Sequence, residues 1–120
     1  MRYSKEHVWV RDEEDCVTIG LSDFAQDELG ELTFIELPDP GSHFNVNDVI
    51  CSIDSLKAAS DIYAPLSGTV VTVNESLNNG PSIINRDPLG SGWILTMKPD
   101  NNDYCAGLLS AADYEKYTGD

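Results

Sequence analysis

Positive charge is scarce in this chain. Its 120 residues hold seven lysines and arginines against 21 aspartates and glutamates, a formal net charge of −14. Nucleic acids and anionic membrane surfaces both require a basic footprint, so neither is expected as a partner. An acidic field favours solubility and encounter with basic patches on other proteins. Long apolar runs are missing too, which excludes a spanning helix of some 18 residues or more. The opening Met1-Arg2-Tyr3-Ser4-Lys5-Glu6-His7 has neither the apolar stretch of a signal peptide nor the acid-poor make-up of a transit peptide. It predicts a protein that stays in the bacterial cytoplasm.

Cysteine and histidine are equally sparse. Cys16, Cys51 and Cys105 stand far apart with no C-x-x-C pair, so neither a zinc site nor a redox dithiol is indicated. An odd count without a secretion signal points to reduced thiols. His7 and His43 are the only imidazoles, too few for a metal site or a nucleophilic triad. His7 is expected to be structural or on the surface, and His43 to be solvated. No nucleophile elbow, Walker loop, H-E-x-x-H or dinucleotide fingerprint occurs. Glu36, Asp54, Asp61 and Asp87 could pair as acid and base, but 21 acidic residues produce such neighbours by chance. The expectation is a protein with no catalytic residue and no metal, a carrier rather than an enzyme.

What is present reads as short strands between turns. Val8-Trp9-Val10 and Cys16 to Gly20 flank the polar Arg11 to Asp15 and predict a hairpin. Ser22 is a candidate N-cap for a short helix that Gly30 ends. Strands are expected over Leu32–Leu37, Val49–Ile53, Ser60–Ala64, Thr69–Val73 and Trp93–Met97. A helical turn is expected around Pro81 to Asn85, and a C-terminal helix from Ser110 ended by Gly119. The chain suffices for one core and is too short for two, so residues 1–120 form a single domain. The pattern predicts a small β sandwich or barrel with a few short helices.

Lys57 is the only lysine between Lys5 and Lys98, and strand-like residues flank it on both sides. A lone ammonium at a hairpin tip is either a solvated turn residue or an attachment point. A site for enzymatic acylation needs an amine that protrudes, sits on a rigid backbone and has no competing neighbour. A tight hairpin tip meets all three needs.

Several segments carry a resemblance. Lys5-Glu6-His7-Val8-Trp9-Val10, Ile19 to Gly30 with the strand ending Glu36-Leu37-Pro38, Asp54-Ser55-Leu56-Lys57-Ala58 to Gly68, and Asn85-Arg86-Asp87-Pro88 to Gly92-Trp93 together resemble the H protein of the glycine cleavage system. They run in order over nearly the whole chain. The resemblance implies a barrel-sandwich hybrid fold, like that of lipoyl and biotinyl carriers, with lipoate in amide linkage to Lys57. Biotin carriers usually have methionines beside the lysine, where Leu56 and Ala58 stand here.

The resemblance further implies a non-catalytic, monomeric carrier visited by three partners in turn. These are glycine decarboxylase, which loads an aminomethyl group, aminomethyltransferase, which removes it, and dihydrolipoyl dehydrogenase, which reoxidises the dithiol. A lipoate ligase or a lipoyl or octanoyl transferase would attach the cofactor. Glu6, Val8, Asp54 and Asp61 are expected in the neighbourhood of the arm. Asp61 matches a family acid there, whereas Val8 replaces the usual glutamate, whose carboxylate could bond the aminomethyl ammonium. Asp54 and Leu56 replace the more usual glutamate and valine. Two readings follow: neutral drift within a glycine cleavage carrier, or an H-like protein that relays lipoate to other complexes without a role in glycine cleavage.

Overall fold

The computed structural model describes residues 1–101 and 103–119. The strands are β1 (Arg2–Tyr3), β2 (Val8–Asp12), β3 (Val17–Leu21), β4 (Leu32–Glu36), β5 (His43–Phe44), β6 (Val49–Ser55), β7 (Ala59–Tyr63), β8 (Gly68–Val73), β9 (Leu95–Pro99) and β10 (Leu109–Ser110). The helices are α1 (Asp23–Leu29), α2 (Ser76–Asn79), α3 (Ile83–Arg86) and α4 (Ala111–Gly119). A seven-stranded sheet runs β10-β1-β2-β3-β9-β8-β5, and a three-stranded sheet runs β4-β6-β7. All pairings are antiparallel. One apolar core joins them: Val10, Val17 and Ile19 from the larger sheet meet Ile35, Ile53 and Ile62 from the smaller.

Local chemistry explains the elements around the Lys57 hairpin. Ser22 caps α1, its hydroxyl oxygen accepting the Ala25 N–H at 3.1 Å. Gly30 ends the helix at φ +78°, in the left-handed region that favours glycine. Asn85 then pins the corner between α1 and β4. Its Nδ2 donates to Gln26 Oε1 (3.0 Å) and to the Gly30 carbonyl (2.8 Å), and its Oδ1 accepts the Leu32 N–H (2.9 Å).

Trp9 fixes the loop before β9. Its ring lies over Gly20, the residue directly opposite it in the β2–β3 ladder, leaving no room for a Cβ there. The indole N–H donates to the Pro88 carbonyl at 2.9 Å, and the Arg11 guanidinium covers the ring at 5.2 Å.

Two expectations shift. The polar turn of the first hairpin is shorter, because Arg11 and Asp12 continue β2. The last long strand begins at Leu95 rather than Trp93. The Asn74 side-chain amide holds the carbonyls of Ser91 (3.0 Å) and Trp93 (2.8 Å), so a side chain replaces a strand partner there. Cys16 and Cys51 are free thiols, Cys51 buried with its thiol pushed up to about 12 by that burial. The expectation for Cys105 lies outside the described side chains.

Candidate functional site

The β6–β7 hairpin turns at Leu56-Lys57-Ala58. Ser55 closes the turn from within. Its backbone N–H donates to the Ala58 carbonyl at 2.8 Å, and its hydroxyl oxygen accepts the N–H groups of Lys57 (3.3 Å) and Ala58 (3.1 Å). The Leu56 N–H donates to the Glu31 carbonyl at 3.1 Å, which ties the tip to the connection between α1 and β4. Lys57 itself is exposed. Its stem passes over Gly30, with Cε 3.4 Å from where a Cβ on that residue would lie. The backbone is held, and the amine is free to be approached.

A cleft of about 210 Å³ adjoins the hairpin. One wall is α1, through Phe24, Ala25, Glu28 and Leu29; another is the edge of β7, through Ser60, Asp61 and Ile62. Leu21 and Ile53 form apolar lining between them, and Glu6 and His7 close one side. Three carboxylates thus edge an otherwise apolar hollow. Asp61 also accepts the Ser52 hydroxyl at 3.3 Å, which orients it.

His7 is held in a left-handed conformation, φ +69°. Hydrogen bonds from the Ser4 N–H to the Val8 carbonyl (2.8 Å) and from the His7 N–H to the Ser4 carbonyl (3.1 Å) enforce it. Burial pushes the His7 imidazole down from its usual pKa; Glu6 and Glu28 pull it up by less. Its Nδ1 sits 2.8 Å from the Tyr114 hydroxyl.

A family profile described as "Glycine cleavage H-protein" matches residues 1–120. The glycine cleavage system H protein of Psychrobacter cryohalolentis is 50% identical over 116 residues, covering 96% of this chain and 92% of its own. That of Coprothermobacter proteolyticus is 46% identical over 121 residues, with 100% and 95% covered. The crystal structure of a glycine cleavage system H protein from Mycobacterium marinum superposes with a TM-score of 0.87 at 30% identity, covering 98% of this chain and 95% of the other. The chain belongs to the glycine cleavage H-protein family. Its fold is the barrel-sandwich hybrid of that family, whose members are lipoyl carriers and serve as carrier subunits rather than enzymes.

Within the H-protein frame the expected neighbours of the arm separate. Glu6 and Asp61 both edge the cleft. Asp54 lies opposite Ala59 and is exposed on the hairpin, away from the cleft lining. Val8 has no exposed surface and belongs to the core, though it pairs directly with Leu21, which lines the cleft. His7 and Glu28 join the lining unannounced by the sequence reading. Glu28 could have been found from helix geometry, since it lies four residues after Phe24 on the same face of α1.

The residues present fit a lipoyl group. An exposed amine stands on a braced turn, Gly30 leaves space beside the lysine stem, and the cleft offers apolar walls for a hydrocarbon arm and acidic edges for a cation.

Proposed function

We propose that this protein is the lipoyl carrier of a glycine cleavage system, with lipoate in amide linkage to Lys57. Lys57, exposed at a hairpin tip that Ser55 and Glu31 hold in place, is the observation that carries the reading. When bound, the lipoyl group would supply a reducible disulfide at the end of an arm, able to carry the aminomethyl group of glycine. The protein's own work is to present and to shelter. A rigid tip gives the acylating enzyme, a lipoate ligase or a lipoyl or octanoyl transferase, one amine in one place. The tether then holds reacting groups at a high effective concentration for glycine decarboxylase, aminomethyltransferase and dihydrolipoyl dehydrogenase in turn.

The cleft supports a resting place for the loaded arm. Leu21, Phe24, Leu29, Ile53 and Ile62 exclude water, and Glu6, Glu28 and Asp61 favour a positive end group. No side chain of the protein is assigned a catalytic step. Residues 1–120 act as one carrier domain, monomeric and placed with its partners in the cytoplasm.

Val8 favours a second reading. It leaves the floor beside Leu21 without the carboxylate that the family usually brings, as an H-like protein engaged in lipoate relay would tolerate. Exchange of carbon between glycine and bicarbonate separates the two. Lipoylated protein with added decarboxylase is expected to support exchange, and Lys57→Arg is expected to abolish it. No exchange from fully lipoylated protein would select the relay.

A further inference from the structure

The C-terminal helix reaches the cleft through one hydroxyl. Tyr114 is buried on α4, and its ring stacks on Tyr3 with centroids 4.3 Å apart and planes 6° from parallel. Its Oη lies 2.8 Å from His7 Nδ1 and 2.7 Å from Ser22 Oγ. These partners belong to different walls. His7 is in the Ser4–Val8 loop, and Ser22 caps α1, which contributes Phe24, Ala25, Glu28 and Leu29.

A phenol has one proton to give. If Tyr114 donates to His7 Nδ1, Ser22 donates to Tyr114 and the histidine proton sits on Nε2; if Tyr114 donates to Ser22, His7 donates from Nδ1. Either way one hydroxyl ties the protonated ring nitrogen of His7 to the direction of the Tyr114–Ser22 hydrogen bond. The other neighbours of the ring, Phe24 at 5.0 Å and Tyr117 at 6.0 Å between centroids, are tilted packing contacts without that direction.

We propose that Tyr114 is a positioning residue: through this hydroxyl, α4 clamps two walls of the cleft and couples the His7 ring to the cap of α1, and so governs how well the cleft protects its contents. The proposal rests on the reading that the loaded arm lies in the cleft. Tyr114→Phe keeps the ring and its stack on Tyr3 and removes only the link. Tyr3→Phe is the control, since it takes a hydroxyl from the same stack outside the cleft.

Two measurements judge it. Nitrogen-15 shifts of the His7 ring, read on unmodified protein, report the tautomer. The second is the loss of the aminomethyl cargo from lipoylated protein, in which one water is consumed, the C–S and C–N bonds break, and thiol, formaldehyde and ammonium are released. Tyr114→Phe is expected to shift the His7 tautomer balance and to speed cargo loss roughly fivefold, a ratio that one net hydrogen bond supports; Tyr3→Phe is expected to do neither. Unchanged cargo loss in folded Tyr114→Phe overturns the proposal. Parent protein that loses cargo as fast as free aminomethyl-lipoamide overturns the sheltering reading instead, and unchanged His7 shifts would then overturn the clamp as well.

Discussion

Val8 stands directly opposite Leu21 in the β2–β3 ladder and has no exposed surface. A longer side chain at position 8 would reach past Leu21 toward the cleft floor. Val8→Glu is therefore expected to lengthen the lifetime of a cationic cargo while lowering the stability of the empty protein. The cost should be about 1–3 kcal/mol, that of an incompletely bonded polar group in the core. Urea unfolding and cargo-loss rates measured on the same preparation check both halves. His7 yields a second prediction. Its folded pKa is depressed, so the unfolded chain binds more protons between that value and the ordinary 6.5. Stability from this group is complete above 6.5 and declines as pH falls below it. The thermal midpoint should drop on acidification from about pH 7.5 to about 5.5, and His7→Asn should drop less over that same interval.

At the scale of elements, the clearest case is the corner held by Asn85. Its side chain satisfies three groups, on α1 (Gln26), on β4 (Leu32) and at Gly30 in the connection between them, which braces the Lys57 tip through Glu31. Asn85→Ala is expected to cost about 1–3 kcal/mol, read as a lower urea midpoint with an unchanged slope. Acylation of Lys57 should slow, because the tip loses a rigid support.

Elements with a local signature were legible in the chain. Ser22 and Gly30 bracket α1 through a cap and a left-handed glycine, and the alternating Val/Ile runs mark β6 and β8. The two-residue strands β1, β5 and β10 carry too few positions for any period to register, and they exist only through their partners. The hairpin tip was legible because turn and lysine lie together in sequence. The cleft was not. Its walls come from Glu6–His7, α1, Ile53 and β7, and the tyrosine that links two of them lies some hundred residues away. Side-chain neighbours at that separation leave no periodic trace. Val8 illustrates the limit: the family resemblance implies a place near the arm, but only the register shows it beside Leu21 in the ladder and outside the cleft lining.

For the whole molecule, charge is the property with the longest reach. A formal −14 surrounds Lys57, the proposed acceptor; Asp54 and Asp61 stand on its hairpin strands and Glu31 on the connection between α1 and β4. Encounter with a basic enzyme surface is steered by this field, whereas the local geometry of Lys57 is indifferent to ions. The apparent KM for the acylating enzyme should rise with added salt as the screening length falls below about 8 Å, with kcat little changed. Equal changes in both constants would place the effect in the chemistry.

Lys57 is the proposed acceptor. Folded protein incubated with lipoate, ATP and a lipoate ligase, then digested and mapped by mass, tests that directly. The expected result is one lipoyl group per chain on the peptide carrying Lys57, and none on Lys57→Arg, which retains the charge but offers no acylatable amine. Modification at Lys5 or Lys98 in its place, or a folded protein that takes up no lipoate, would contradict it.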